Sequence, residues 1–355
     1  MAAIRDVGIA LVAVVPEPVA GQEQLSESTR VLVTGGAGFV GSHLVDRLLD
    51  MGQSVTVLDN FTTGSERNLA DSRDRAALRI VRGTVLDADL VDTLVAEHPL
   101  TFHLAAAVGV GNIVADPLGS MTTNIHGTEN VFAAADRHDS RVVLASTSEV
   151  YGRSDKIPFR EEGDRVLGPT SVHRWSYATA KALDEHIAFA YADRGVKMSI
   201  VRYFNSYGPR IDERGYGSVI ARFAAQALGE RPITVHGDGK QTRCFTYVSD
   251  TIEGTIRAGT MTEAIGGVFN IGSDREISIL ELARMIRATL ASPSEIVLEP
   301  YETRYPKGFE DTRRRVPDVS KAQETLGYVA RVPLDVGLGR TLDWCRTTYR
   351  VSLAS

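Results

Sequence analysis

Residues 31–44 read Val31-Leu-Val-Thr-Gly35-Gly-Ala-Gly38-Phe-Val-Gly41-Ser-His-Leu44, an apolar run that leads through a glycine turn into an amphipathic pattern. A strand, a glycine turn and a helix in this order are what a dinucleotide-binding site requires. Gly35 permits the tight turn, Gly38 lets the backbone approach a pyrophosphate, and Gly41 lets helix and strand pack closely. The helix N-terminus then faces the phosphates.

A second apolar run, Val55-Thr-Val-Leu58, ends in Asp59, eighteen residues after Gly41. A carboxylate at this place accepts hydrogen bonds from an adenosine ribose. Because it also repels the extra phosphate of NADP, Asp59 favours NAD. The strand, the glycines, the helix and the acid together predict an NAD site.

The first half of the chain alternates short apolar runs with helical patterns. We predict helices near 40–51, 88–97, 120–137 and 175–194, and strands near 31–34, 55–58, 79–82, 101–104, 141–146 and 197–202. This alternation is typical of an α/β fold with a doubly wound parallel sheet.

After Asn205 the pattern loosens, and Gly and Pro become frequent. Helices are predicted at 218–229 and 278–290. The runs at 243–247 and 267–271 are expected to be strands that return to the main sheet or its edge. The segment to about 330 would complete a smaller lobe.

Composition excludes several classes of protein. The 355 residues, 43% of them hydrophobic and 24% charged, are typical of a globular protein with a large core. A net charge of -6 gives no electrostatic reason to expect nucleic acid or an acidic membrane as partner. Cys244 and Cys345 make no disulfide framework, and no Cys/His cluster has metal-ligand spacing. Residues 1–28 are interpreted as an extension outside the fold, without a secretory signal, which predicts a cytoplasmic protein.

The run Trp175-Ser-Tyr-Ala-Thr-Ala-Lys181 carries a candidate catalytic pair, Tyr177 and Lys181. Residues four apart on a helix project from one face. A lysine ammonium there lowers the pKa of a tyrosine and suits it to take a proton from a sugar hydroxyl. Ser146-Thr147-Ser148-Glu149 precedes this pair.

With these residues in place, the chain resembles the extended short-chain dehydrogenase/reductase superfamily, and within it the nucleotide-sugar epimerases, dehydratases and decarboxylases. The resemblance covers about residues 29–345. Its motifs are Gly35–Gly41, Asp59-Asn60-Phe61, His103-Leu-Ala-Ala106, Asn124-Ile-His-Gly-Thr-Glu-Asn130, Thr147-Ser-Glu-Val-Tyr-Gly152, Tyr177 with Lys181, Arg202-Tyr-Phe-Asn-Ser-Tyr-Gly-Pro209 and Arg243-Cys-Phe-Thr-Tyr-Val-Ser-Asp250. It implies a Rossmann NAD-binding domain over 29–205, with returning segments near 243–272, and a smaller C-terminal α/β lobe, mainly nucleotide-sugar-binding, over 206–345.

Three places look like UDP-glucuronate decarboxylases: Thr147-Ser-Glu149, His173-Arg-Trp-Ser-Tyr177 and Gly308-Phe-Glu-Asp-Thr-Arg-Arg-Arg315-Val-Pro317-Asp. Family 4-epimerases usually lack the Glu, and many 4,6-dehydratases carry Asp in place of Ser148. GDP-mannose dehydratases also show Thr-Ser-Glu, so the triplet alone does not decide. A 4-epimerase of UDP-glucuronate or UDP-glucose, or a 4,6-dehydratase, remains the alternative.

The resemblance implies roles for the catalytic and substrate-binding residues. Tyr177 would take the proton of the sugar 4-hydroxyl, with Thr147 bonded to the same oxygen and Lys181 bridging the phenolate and the nicotinamide ribose. Glu149 and Ser148 would return a proton or position water after carbon dioxide leaves the 4-keto intermediate, which gives UDP-xylose or a UDP-4-keto-pentose. The residues implied to bind substrate are Arg174 at the carboxylate, Arg243 at the diphosphate, Arg315 in the catalytic pocket, Asn205 on the pyrophosphate side, and Val235.

The resemblance also implies the cofactor site and a homodimer. The cofactor-binding residues would be Gly35, Gly38, Phe39, Val40, Asp59, Asn60, Thr84, Val85, Leu104, Ala105, Ala106, Asn124, Tyr177, Lys181 and Tyr203. Thr84 departs from the family, which often carries Asp there. His103 is expected to be a core histidine. The helices near 120–137 and 175–194 would form the intersubunit bundle of a homodimer.

Overall fold

A computed structural model describes residues 29–108, 116–212, 218–303 and 312–353. The predicted extension, 1–28, lies outside these ranges, as do residues 308–311 of the decarboxylase-like segment.

Seven parallel strands form the main sheet, which confirms the predicted doubly wound α/β fold. They are β1 (Arg30–Thr34), β2 (Ser54–Asp59), β3 (Leu78–Arg82), β4 (Leu100–His103), β5 (Arg141–Thr147), β6 (Met198–Tyr203) and β11 (Val268–Ile271). Their order across the sheet is β11-β6-β5-β4-β1-β2-β3, so the chain turns back at β1 and β4. Ligands of such sheets bind beyond the carboxyl ends of the strands at this switch point.

Helices cover both faces of the sheet because the buried strands alternate apolar side chains to each side. On one face, Leu32 packs with α2 (Ala88–Glu97), α3 (Pro117–His138) and α4 (Ser176–Ala192). On the other, Val31 and Val33 pack with α1 (Phe39–Asp50) and α6 (Val248–Thr260). Within the described ranges, no helix is long and apolar enough to cross a membrane.

The chain after Asn205 builds three small sheets beside the main one. Here β7 (Ser206–Tyr207) pairs with β10 (Thr246–Tyr247), and β8 (Ile233–His236) pairs with β13 (Ile296–Glu299). Strand β9 (Thr242–Cys244) lies between β12 (Glu276–Ser278) and β14 (Arg314–Arg315). The remaining helices are α5 (Val219–Leu228), α7 (Ile279–Thr289), α8 (Ser320–Leu326) and α9 (Leu334–Leu353).

Of the two strands that were predicted to return to the main sheet or its edge, one does so and the other does not. The run at 267–271 does return to the main sheet, as β11. The run at 243–247 does not, because it divides into β9 and β10, which belong to two different small sheets. Strand β11 is apolar enough to be buried along its whole length, whereas β9 carries Arg243, whose charge needs polar partners.

Candidate active site

The glycine turn between β1 and α1 has the steric constraints that its sequence predicted. Gly35 has a φ of +72°, and its N–H donates to the Leu58 carbonyl at 2.8 Å. An added Cβ at Gly35 would lie 2.7 Å from the Ala105 nitrogen, and one at Gly41 would lie 2.2 Å from the Gly35 carbonyl oxygen. Neither position has room for a side chain, so the turn depends on both glycines.

Gly38, the N-cap of α1, is constrained differently. An added Cβ there would approach only the Gly35 carbonyl oxygen, at 3.2 Å. The protein itself therefore leaves more room for a Cβ at position 38 than at position 35 or 41. A ligand that approaches the backbone here would explain why this residue is a glycine. Within the described ranges, no side chain caps α1, whose first residues are Phe39 and Val40, so its leading N–H groups can bind an anion. These features fit the pyrophosphate of a dinucleotide.

Asp59, at the end of β2, braces the same turn. Its Oδ2 accepts from the Ala37 N–H at 2.9 Å and its Oδ1 accepts from the Phe61 N–H at 2.8 Å. A carboxylate has about four acceptor sites, so both oxygens retain capacity for ribose hydroxyls. Asn60 accepts from the Thr62 N–H at 3.0 Å and shapes the following turn.

The other predicted cofactor residues lie at the carboxyl ends of neighbouring strands. Leu104, Ala105 and Ala106 follow β4, and the Asn124 Oδ1 on α3 accepts from the Ala107 N–H at 2.7 Å. Asn124 thereby holds the segment that carries the predicted contacts.

Thr84 and Val85 follow β3, and Tyr203 ends β6. The Thr84 Oγ1 accepts from the Leu86 N–H at 3.2 Å, so the residue that replaces the family Asp shapes its own turn. The Tyr203 hydroxyl and the Thr255 hydroxyl lie 2.8 Å apart, and burial raises the pKa of Tyr203. The contacts of all these residues with a cofactor stay predictions.

Tyr177 lies in the first turn of α4, and its environment differs from the prediction. Burial raises the pKa of Tyr177, the charges of Glu149 and Asp184 raise it further, and a hydrogen bond with Thr147 opposes them. The Lys181 ammonium is paired with the Asp184 carboxylate at 2.7 Å. The expectation that Lys181 lowers the pKa of Tyr177 is therefore wrong for the protein chain by itself.

Glu149 joins two arginines from distant parts of the sequence. Its Oε2 lies 2.5 Å from Arg174 Nη1 and its Oε1 lies 2.8 Å from Arg315 Nη1. Burial alone would raise the pKa of Glu149, but Arg315 and Arg174 outweigh it and hold that pKa well below its usual range. Glu149 is thus a fixed anion here, which makes it a poor proton donor. We name Arg174, Glu149 and Arg315 the arginine cluster.

Arg315 also lies beside Arg243, the residue that is predicted to bind the diphosphate of the substrate. It is the register partner of Arg243 between β14 and β9, so the two side chains share one face of the small sheet. Arg243 is 7% exposed, and its Nη1 donates to the Thr242 and Thr312 carbonyls at 2.7 and 2.8 Å. The Asn205 amide donates to the Cys244 carbonyl at 2.8 Å, which ties the end of the main sheet to β9. Two adjacent buried guanidiniums make this face suitable for an anionic ligand.

The remaining predicted residues have simpler surroundings. Ser148 is 2% exposed at the start of a short 3-10 turn, beside Thr147 and Glu149. Val235 lies in β8 with 0% exposure, within the apolar core, and its contact with substrate stays a prediction. His103 is a core histidine, as expected: it is 1% exposed and bonded to Thr34 and Thr128.

Asp184 is a residue of this site that the sequence reasoning missed. It is 0% exposed and pairs with the candidate catalytic lysine. The spacing of three residues from Lys181 was a usable signal, since it places both on one helix face. Sequence alone did not show that this face is buried.

Comparisons with known proteins agree with this geometry. The model of the "NAD dependent epimerase/dehydratase family" matches residues 31–272. The chain is 44% identical to the UDP-N-acetyl-alpha-D-glucosaminuronate decarboxylase of Bacillus cytotoxicus, over 89% of this chain and 98% of that one. It is 37% identical to UDP-glucuronic acid decarboxylase 1 of Xenopus tropicalis, over 89% of this chain and 72% of that one.

Among solved structures, the chain resembles the UDP-glucuronic acid 4-epimerase of Bacillus cereus in complex with UDP-glucuronic acid and NAD. The TM-score is 0.81 at 29% identity, and the match covers 90% of this chain and 100% of that one. The UDP-glucose 4-epimerase of Thermotoga maritima, solved with UDP-glucose, gives a TM-score of 0.81 at 31% identity, over 90% of this chain and 100% of that one.

Proposed function

This chain belongs to the NAD dependent epimerase/dehydratase family, and we propose that it is a UDP-glucuronate decarboxylase. Its cofactor is NAD. We further propose that residues 29–205 bind the cofactor and that residues 206–345 mainly bind the UDP-sugar. The decarboxylases named above support the reaction, and the site supports a negatively charged sugar.

The arginine cluster is the observation that carries this proposal. Arg174 and Arg315 are 7% and 6% exposed, and both contact the single carboxylate of Glu149. The Arg315 Nε has no hydrogen-bond partner among the described residues. A buried, unsatisfied guanidinium donor is costly unless a ligand completes it, and a carboxylate suits a guanidinium best. Glu149 acts on the pKa of Tyr177, so the cluster lies near the reacting hydroxyl.

The proposed roles follow from this arrangement. NAD, which the glycine turn and Asp59 would hold, would supply the hydride acceptor for C4 of the sugar and the hydride donor for its return. Tyr177 takes the proton of the 4-hydroxyl, and Thr147 forms a hydrogen bond with the Tyr177 oxygen. The resulting 4-ketone makes the sugar acid a β-keto acid, so the bond to the carboxylate breaks and its electron pair moves into an enolate. Arg315 and Arg174 hold the carboxylate beforehand, and Glu149 orients both guanidiniums.

A product assay tests the proposal. Purified protein, NAD and carboxyl-labelled UDP-glucuronate should release labelled carbon dioxide, and mass spectrometry should find a UDP-pentose or a UDP-4-keto-pentose. Carbon dioxide release also separates the decarboxylase from the alternative. A product that keeps all its carbon atoms would identify a 4-epimerase or 4,6-dehydratase and overturn the proposal.

A second candidate substrate is UDP-N-acetylglucosaminuronate. The observation in its favour is the 44% identity with the Bacillus cytotoxicus enzyme. Both uronates carry the carboxylate and the 4-hydroxyl that the site addresses, and they differ at C2. Paired kcat/KM measurements with the two uronates decide which is preferred.

We propose a homodimer. Helices α3 and α4 pack on one another and leave apolar side chains exposed, with Leu118 at 71%, Leu183 at 42% and Phe189 at 39%. Such residues on two adjacent helices suit a helical interface. If light scattering gives a mass of 38.5 kDa, which is the mass of a single chain, the dimer is rejected.

We propose a cytoplasmic location. The chain's two cysteines, Cys244 and Cys345, are buried free thiols, which is typical of proteins in reducing compartments. Cell fractionation followed by immunoblotting tests it, and recovery outside the cytoplasmic fraction would contradict it.

A further inference from the structure

The Lys181–Asp184 pair is fully enclosed. Lys181 is 2% exposed and Asp184 is 0% exposed, and their charged atoms lie 2.7 Å apart. Removing two charges from water costs several kcal/mol per ion, so a pair at this depth needs further hydrogen bonds. Neither Asp184 oxygen has a hydrogen-bond partner among the described residues, so the charge of this carboxylate is balanced by the Lys181 ammonium.

A chain of buried hydrogen bonds runs from Thr128, on α3, to the end of β1. Thr128 Oγ1 lies 3.1 Å from His103 Nε2, and His103 Nδ1 lies 2.8 Å from Thr34 Oγ1. The Ala105 N–H donates to the same Thr34 oxygen at 3.2 Å. The path therefore links the segment after β4 to Thr128 on α3, the helix that packs against α4.

His103 is neutral, because burial and the charge of Lys181 lower its pKa to about 3. One of its ring nitrogens therefore donates to one threonine, and the other accepts from the second threonine. His103 thus satisfies both hydroxyls without adding a charge beside Lys181 and Asp184.

From this geometry we infer that Asp184 is a positioning residue, which holds the Lys181 ammonium and thereby sets how readily Tyr177 gives up its proton. The inference rests on the proposed function, since it concerns the same oxidation step. The Asp184 carboxylate offsets the charge of Lys181, which would otherwise act directly on the phenol of Tyr177. Its own negative charge is one of the causes that raise the pKa of Tyr177.

Other charged groups surround this site and bear on its pH dependence. Glu149 also raises the pKa of Tyr177 and is itself held by Arg174 and Arg315. Glu185, next to Asp184, is engaged by Arg202 from β6, with nitrogen–oxygen distances of 2.9 and 2.6 Å. His103 is neutral. Lys181 and Asp184 are therefore the charges next to Tyr177 that the arginines do not already hold.

The variant Asp184→Asn tests the inference through the pH profile of nicotinamide reduction in a single turnover with UDP-glucuronate. Without the aspartate charge, Lys181 acts on the phenol unopposed, and the acidic limb should move to lower pH by about 1 unit. Asp184→Glu keeps the charge and should restore the wild-type limb. Asp193→Asn removes an exposed carboxylate from the same chain segment and should leave the limb unchanged.

An unchanged limb in Asp184→Asn, or a limb shifted to higher pH, would overturn the inference. A titration of Tyr177 that needs no turnover separates this outcome from failure of the proposed function. It compares the tyrosinate absorbance of each protein with that of its Tyr177→Phe counterpart. If Asp184→Asn does not fold, the wild-type titration still decides, because a pKa of Tyr177 at or below the ordinary value of about 10 contradicts the inference.

Discussion

Two buried ion-pair clusters act on Tyr177, and they are built in different ways. Lys181 and Asp184 lie three residues apart on one helix. The arginine cluster joins Glu149 with Arg174 and Arg315, and the last of these lies 166 residues away in sequence. The first pair is a local feature of α4, whereas the second exists only after the small sheet has brought β14 to the main sheet.

The two carboxylates differ in the number of cations that oppose the effect of burial on their pKa values. Burial raises the pKa of Asp184 and one ammonium does not overcome it. Burial acts on Glu149 in the same direction, but two guanidiniums hold the pKa below its usual range. We assign the binding of the sugar carboxylate to the two guanidiniums of the arginine cluster, whereas Lys181 and Asp184 act on the oxidation step through Tyr177.

The largest effect is expected at Tyr177, because charges of both clusters act on this residue. Tyr177→Phe removes the base, so nicotinamide reduction and carbon dioxide release should both fall by roughly a hundred- to ten-thousand-fold. Tyr191→Phe, on the same helix with its ring stacked 5.9 Å from Phe132, is the matched control and should stay active. Steady-state rates at saturating substrate measure both. A Tyr177→Phe enzyme with more than a tenth of wild-type turnover would remove Tyr177 from the mechanism.

Removing the anion of the arginine cluster should cost both stability and turnover. Glu149→Gln leaves two buried guanidiniums without their carboxylate, which should lower the free energy of unfolding by about 3 kcal/mol. Turnover should fall steeply while UDP-glucuronate and NAD still bind. Glu129→Gln, whose side chain is 57% exposed, should change stability by less than about 0.5 kcal/mol. Denaturant titration and calorimetry measure these quantities, and near-wild-type turnover of Glu149→Gln would make Glu149 purely structural.

Arg315 and its neighbour Arg314 differ in burial and in partner, so a variant of each separates the role of Arg315 from that of charge alone. Arg315→Lys keeps the charge but loses the forked donor geometry, so kcat/KM should fall by at least about tenfold. Arg314→Lys alters the neighbouring, half-exposed residue, which pairs with Glu276 at 2.7 Å, and should have little effect. Equal losses in the two variants would show that charge near β14, and not the fork of Arg315, is what matters.

The smallest effect is a difference in the pH dependence of stability. Glu149 has a folded pKa below its unfolded value, so its contribution is present above the unfolded pKa and is lost as pH falls. Asp184 has a folded pKa above its unfolded value, so its contribution is greatest at low pH and declines as pH rises. The difference in melting temperature between wild type and Glu149→Gln should therefore shrink on acidification, and that for Asp184→Asn should change in the opposite direction. Thermal unfolding at several pH values checks both signs.

The contrast also separates what the sequence could predict from what it could not. The glycine turn, Asp59 and the alternation of strands and helices are local patterns, and the main sheet follows from them. The run that contains β9 was predicted to be a strand, but it was assigned to the wrong sheet because a short run with one arginine does not reveal its partner strands. The pKa of Tyr177 was misjudged because the Tyr–Lys spacing says nothing of Asp184 or of burial. Arg174 and Arg315 were predicted by resemblance, but their common partner Glu149 appears only in three dimensions.

The central claim is that Arg315 serves the loss of the carboxylate and not the oxidation, and one single-turnover experiment tests it directly. Carboxyl-labelled UDP-glucuronate is mixed with Arg315→Lys, and nicotinamide reduction and labelled carbon dioxide are followed in the same reaction. We expect that reduction stays close to the wild-type rate while carbon dioxide release lags behind it. If both signals slow together by the same factor, Arg315 acts on oxidation as well, and its assignment to the carboxylate step alone is contradicted.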